Sequence, residues 1–191
     1  MKASPPKDDP YPANFSPNFR AAFSVTVLHP MATVFQVLGT GAGLERTILL
    51  SSMAGGFELL MSDSVAVVGA LEDAYVRTAR AAPEGEGLPR QSFRFMETVK
   101  IVPGFAFLDV NVKLQGTFTW DAERRVALYE TWSDKVVVRK VRRFEEAEGG
   151  AATKISETIE GQCPALLQYI TQRTAQSSHR EHMNSYSELF E

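Results

Sequence analysis

The chain has 191 residues, 44% of them hydrophobic and 23% charged, with a formal net charge of −3 at pH 7. That fits one ordinary folded domain with room for a substantial core, and the weak negative balance gives no electrostatic reason to expect nucleic acid or an anionic membrane as partner. Cys163 is the only cysteine, which excludes an intramolecular disulfide and a cysteine metal cage and suits a reducing compartment.

In chain order, the first seventeen residues, MKASPPKDDPYPANFSP, hold five prolines and no apolar run. Residues 1–21 are therefore expected to be a disordered, proline-rich arm without a secretory signal, and residues 22–191 a single domain. Asn14-Phe15-Ser16 has the form of a glycosylation acceptor, a match read as accidental in a chain with no route into the secretory pathway. No stretch approaches the roughly 20 apolar residues of a membrane helix, so the expected location is cytoplasmic, with no integral membrane contact.

AAFSVTVLHP alternates as a strand through Phe23, Val25 and Val27 and ends at Pro30. His29, in phase with Val25 and Val27, is read as a helix cap or a satisfied core histidine rather than a catalytic base. The helix that follows, PMATVFQVL, puts Met31, Val34, Phe35 and Leu38 on one side and stops at Gly39. GTGAG, Gly39 to Gly43, follows a helix, so it is a helix–helix turn and not a dinucleotide loop. A second short helix is expected at LERTILLSS. From Gly55 to Pro83 the pattern is poor: FELLMSDSVAVV reads as a strand, and ALEDAYVRTARAA as a strand or a helix.

Five β-like runs then follow: SFRFMETVKIV, LDVNVKLQGTFTW, VALYETWS, VVVRKVRRFEE and ATKISETIEG. The short turns between them make antiparallel neighbours. A long helix from about Pro164 to Phe190 closes the chain. Its first half is apolar through Leu166, Leu167, Tyr169, Ile170 and Thr174, and its second through Met183, Tyr186, Leu189 and Phe190. On a straight helix these stripes lie on nearly opposite sides, so a bend or a change of partner is expected near TAQSS, where Ala175, Ser177 and Ser178 would fit a cavity wall or a break. The order of elements gives an α+β domain, an antiparallel sheet covered by a terminal helix.

This order, with the strand-to-helix junction TKISETIEGQCPALLQYI, resembles the START-like or SRPBCC superfamily, which includes Bet v 1-like proteins, lipid-transfer domains and polyketide cyclases. The likeness covers roughly Ala22 to Glu191. The run FRFMETVKIVPGFAFLDVNVKLQGTFTWD is also similar to that of uncharacterised fungal proteins of this type. The resemblance implies a helix-grip fold, a curved sheet around the long helix with a cavity for an apolar molecule between them. It leaves the reaction open.

Two carboxylates break the apolar alternation. Glu157 shares its strand face with Ile155 and Ile159, and Glu97 sits among Phe93, Phe95, Val99 and Ile101. Glu130, among Val126, Leu128 and Trp132, is a weaker third case, because Ala127, Tyr129 and Thr131 make the other face hardly more polar. A carboxylate aimed at a core is paired, protonated or in a wet cavity. If the three strands share a concave face, Glu97, Glu157 and Glu130 form a catalytic set in which one works as general acid beside a general base. Against this stands pairing within the sheet, with Arg94, Arg139 or Lys140 as partners, or a register that turns each glutamate outward. Both readings stay open here.

His179 and His182, spaced i,i+3 in SSHREHM, lack the zinc-protease spacing and a third ligand and are read as a solvated or partly packed helix face. RKVRR, Arg139 to Arg143, puts charge on both strand faces and does not make a nucleic-acid stripe. Cys163 is read as a packed thiol. The leading expectation is a binding protein for a small or medium hydrophobic molecule, with Phe93, Phe95, Phe118, Trp120, Tyr129, Trp132, Tyr169, Ile170, Thr174 and Ser178 as ligand-binding walls, along with Phe105 and Phe107. The alternative is a cyclase or dehydratase working through Glu97 and Glu157. Neither implies a metal or an organic cofactor.

Overall fold

A computed structural model describes residues 15–83, 85–99 and 110–191. The elements run β1 (Phe19–Val27), α1 (Met31–Leu38), α2 (Leu44–Leu49), β2 (Ala54–Val65), β3 (Leu88–Val99), β4 (Val110–Asp121), β5 (Val126–Trp132), β6 (Val137–Ala147), β7 (Ala152–Gln162) and α3 (Gln168–Asn184). All strand pairs are antiparallel, and the sheet order is β1-β7-β6-β5-β4-β3-β2. The chain meanders from β2 to β7, and β7 then pairs with β1, so the first strand of the domain lies beside the last.

β1 begins at Phe19, three residues before the domain boundary drawn from sequence. The junction with β7 explains why: Asn18 bonds through its side chain to both the N–H and the C=O of Cys163, at 3.1 and 2.8 Å. Residues 1–14, Phe105 and Phe107 lie outside the described residues. α1 buries Val34, Phe35 and Leu38 as its spacing predicts, but its N-cap is Pro30 with no side-chain cap. His29 instead stacks its ring on Phe190 at 4.9 Å.

The inner face of the sheet carries the larger core. Phe93, Phe118, Tyr129, Phe144, Ile155 and Met183 are buried there with α1 and α2. Rings tier across it, Phe93 to Tyr129 at 6.4 Å and Phe118 to Tyr129 at 4.4 Å. Gly116 makes room for that tier: a Cβ there would meet Phe93 Cζ at 2.6 Å and Thr131 Cγ2 at 2.9 Å.

The outer face has its own core of Val65, Leu71, Val76, Val126, Leu128 and Val141. It is covered by the segment expected to be a strand or a helix, which apart from a single 3-10 turn at Leu71–Asp73 is an irregular strap. Side chains of the sheet satisfy its backbone. Arg90 donates to the carbonyls of Val76 and Ala79, Arg139 to those of Glu72 and Ala74, and Glu130 accepts from Val76 N–H at 3.1 Å. β2 is an edge strand with register shifts at Gly55/Phe57 and Leu59/Met61, which is why its alternation reads poorly.

α3 is continuous through Thr174 to Ser178, without a break there, and a 3-10 turn over Ser185–Phe190 follows it. The opposed stripes have different surroundings, as a change of partner requires: the second packs into the core through Met183, Tyr186 and Leu189, while Leu166, Tyr169 and Ile170 stay exposed.

Replacing Gly116 with alanine is expected to cost about 1–3 kcal/mol by forcing the Phe93 ring aside. Urea unfolding measures this as a lower midpoint, and an unchanged midpoint would mean that the ring has room to move.

Candidate functional site

The inner face has a polar centre built from opposed strand positions and the end of α3. Register sets Arg142 of β6 opposite Glu157 of β7, and Lys140 opposite Ile159. Arg142 Nε donates to Glu157 Oε1, and Nη1 donates to the carbonyl of Leu38 at the end of α1. Tyr186 closes the group: its hydroxyl accepts from Arg142 Nη2 at 2.5 Å and donates to Glu157 Oε1 at 2.6 Å. The second carboxylate oxygen, Glu157 Oε2, lies 3.5 Å from both Lys140 Nζ and His179 Nδ1.

Arg142 and Glu157 are 0% and 1% exposed, whereas the Lys140 side chain is 15% exposed. The charge centre is therefore sealed around Arg142 and opens at Lys140. The Lys140 ammonium also sits 4.3 Å from the centroid of the Tyr129 ring.

The protonation states follow. Burial alone would raise the Glu157 carboxyl, but Arg142 first, then Lys140, His179 and the Tyr186 hydroxyl hold it well below the usual carboxylate range. Burial pushes the Tyr129 phenol up to about 12. It also pulls Lys140 below the ordinary lysine range, against the attraction of Glu157. His179 and His182 are both lowered to about 4, chiefly by burial, and are neutral at pH 7. Since a carbonyl only accepts, His182 Nε2 carries the proton it donates to Thr47 O at 2.6 Å.

Glu97, half-buried on the inner face of β3, is pushed above the usual carboxyl range by burial and drawn back in part by Lys140. Glu130 is on the other face. It lies under the strap against Val76 and Thr117, away from Glu97 and Glu157, so the three-carboxylate arrangement reduces to two. Glu157, in turn, is a fixed counter-ion to Arg142 rather than a carboxyl free to trade protons.

The expected walls divide in the same way. Phe93, Phe118 and Tyr129 are fully buried core, while Phe95 and Trp120 are half-buried on the inner face. Trp132 lies on the outer face, with the Arg77 guanidinium 4.3 Å above its ring. Thr174 and Ser178 are half-buried, and Ser178 Oγ contacts Met53 Sδ at 3.6 Å. Tyr169, 77% exposed, is nine residues from Ser178 and so half a turn away from that row, and Ile170 is exposed too.

Sequence reasoning missed Arg142, Tyr186 and Lys140 as site residues; of the two histidines, expected on a solvated or partly packed face, His179 is buried and His182 half-buried. In RKVRR, Lys140 and Arg142 fall in phase with the core residue Phe144, the one local signal that these two cations point inward. Among the described residues no group of three or more His, Cys, Asp or Glu is placed to hold a metal. A separate cleft of about 270 Å³ at the β5–β6 turn is lined by Ser133, Lys135, Gln162 and Cys163. It touches none of the network, and we place the candidate site at the charge centre because the perturbed groups converge there.

No family model matches the sequence, and no curated protein matches it. Solved structures do match in fold. The protein TTHA0849 from Thermus thermophilus aligns with a TM-score of 0.58 at 14% identity over 88% of this chain and 94% of that one. Norcoclaurine synthase from Thalictrum flavum gives 0.54 at 14% identity over 90% of this chain and 85% of that one. The di-domain ARO/CYC protein StfQ from the steffimycin biosynthetic pathway gives 0.53 at 13% identity over 88% of this chain, which spans only 44% of that protein.

The fold is the helix-grip fold of Bet v 1-like proteins. At these identities the likeness extends to fold alone, and it does not bear out the fungal resemblance drawn from the sequence. No helix among the described residues is long and apolar enough to cross a membrane.

Replacing Glu157 with glutamine leaves the Arg142 guanidinium buried without its carboxylate. The expected loss is about 3–5 kcal/mol, read by urea unfolding; a loss under about 1 kcal/mol would show that Tyr186 and Leu38 alone suffice.

Acid is expected to weaken the fold through His179. Its folded pKa is lowered to about 4, so the unfolded chain binds the proton more readily, and stability falls as pH drops from about 6.5 towards 4. Glu97 and Glu130, whose pKa values are raised, act in the opposite direction, so the measurement is a difference. Between pH 6.5 and 4.5, His179→Gln is expected to lose about 1–2 kcal/mol less than the unmodified protein, and equal losses would show that His179 does not contribute.

Proposed function

We propose that the protein binds a small or medium hydrophobic molecule between the inner face of the sheet and α3. The observation that carries this reading is the mismatch between the two walls. On the sheet, Phe57, Phe95 and Ile159 are half-buried. On α3, which packs along β1, the row Thr171, Thr174, Ala175 and Ser178 is also half-buried and is made of small side chains. A closed core would set large apolar residues against those rings; small residues there leave room for a guest of apolar shape. Phe95, Trp120, Thr174 and Ser178 form its walls, and Lys140 with Glu97 forms the polar end. The similarity in fold to norcoclaurine synthase and to an ARO/CYC protein supports a fold suited to enclosing such molecules.

The second reading is a cyclase or dehydratase, and Glu97 favours it. Its carboxyl is half-buried and pushed towards the neutral form, beside a lysine pulled in the opposite sense. That pair has the makings of a general acid and base in a site shielded from water. Glu157 then serves as the anchor that holds Arg142 and orients Lys140.

Incubating the purified protein with a lipid and metabolite extract, followed by mass spectrometry, tests both readings. Retention of an unchanged apolar compound is the expected result. A compound replaced by one of equal mass, or lighter by one water, would favour the enzyme. In that case Glu97→Gln is expected to lower turnover by 100-fold or more, on the order of a general acid's contribution, with binding retained. An extract neither depleted nor altered would overturn both readings.

A further inference from the structure

Two cations, Arg142 and Lys140, face one firmly ionised carboxylate, Glu157. Arg142 takes most of that carboxylate, since Glu157 Oε1 already accepts from both Arg142 and Tyr186. Lys140 is left with Oε2 at 3.5 Å, the limit of a hydrogen bond, and shares it with His179. Three N–H donors therefore have one distant acceptor among the described residues.

The other groups packed around Lys140 do not make up the deficit. Tyr129 offers only its ring face, and Ile159, opposite in register, is apolar. His179 and His182 are neutral at pH 7, and Glu97 forms no ion pair with Lys140 within 4 Å among the described residues. The Lys140 ammonium, over the Tyr129 ring and 15% exposed along its side chain, is therefore left with a distant share of one carboxylate oxygen.

We infer that the groove takes a hydrophobic acid, an apolar body with a single anionic oxygen head, and that the head sits against the Lys140 ammonium. This rests on the ligand-binding reading above and adds the chemistry of the head group. Carboxylates and acidic phenols or enols share that chemistry, and a charge-assisted bond to Lys140 serves either one.

The test is calorimetric titration at pH 7 with two probes of matched shape, 2-naphthoate and 2-naphthalenemethanol, with 2-naphthol as a third arm for a weakly acidic head. The acid is expected to bind at least about 10-fold more tightly than the alcohol, equivalent to about 1.4 kcal/mol. In Lys140→Met the gap is expected to close while the alcohol still binds, and in Lys140→Arg it is expected to persist. Equal binding of acid and alcohol to the unmodified protein would overturn the head-group inference and leave the cavity reading intact. Binding of neither would overturn both, and a gap that survives in a folded Lys140→Met would overturn the role of Lys140. Should Lys140→Met fail to fold, the acid-to-alcohol ratio in the unmodified protein still decides the head group, and Lys140→Gln replaces the methionine variant for the role of the lysine.

Discussion

The ion pair of Arg142 and Glu157 is the constraint on which the inner face depends. Two full charges are withdrawn from water there, at a desolvation cost of several kcal/mol each, and the cost is offset by bonds from Arg142 to groups on three other parts of the chain and by the two nitrogens 3.5 Å from Glu157 Oε2. The guanidinium joins β7 through Glu157, α1 through the carbonyl of Leu38 and the tail after α3 through Tyr186. Such a group adds little net stability over a well-packed apolar substitute. Its effect is positional: a one-residue slip of β7 would set Ser156 or Thr158 against Arg142 and strand both charges.

That constraint also separates two kinds of polar group on one surface. Arg142, Glu157 and Tyr186 are sealed and serve to hold four elements in register. Lys140 and Glu97, one step further out, have looser partners and displaced protonation, which are the properties of groups that meet a ligand. The division follows from the alternation of β6, which puts Lys140 and Arg142 on the same side, two residues apart along the strand and at different depths.

Much of the architecture was legible in the sequence because strands with one buried face alternate visibly and the turns between them carry glycine, aspartate and serine. All five later strands and the terminal helix follow this logic. Glu97 and Glu157 were also legible as anomalies, since a carboxylate in an apolar phase stands out whatever its partner. The partner itself was not. Whether Glu157 meets Arg139, Lys140 or Arg142 depends on register, a long-range property that no local pattern contains. Glu130 and Trp132 were misplaced because both faces of β5 are buried, which removes the contrast that tells inside from outside. The strap was illegible for a different reason: beside a few local turns, its backbone is held by arginine and glutamate side chains outside the segment, and its composition matches neither a helix nor a strand.

The strap has a consequence for the order in which the chain assembles. Its polar seats are Arg90 on β3, Glu130 on β5 and Arg139 on β6, the last more than sixty residues further along the chain. The Arg90 seat is local, eleven to fourteen residues from the carbonyls it holds, but the seats on β5 and β6 are complete only when those strands lie side by side. Full docking of the strap thus requires the paired meander. A sheet from which the strap has lifted presents Val126, Leu128 and Val141 as an uncovered apolar surface.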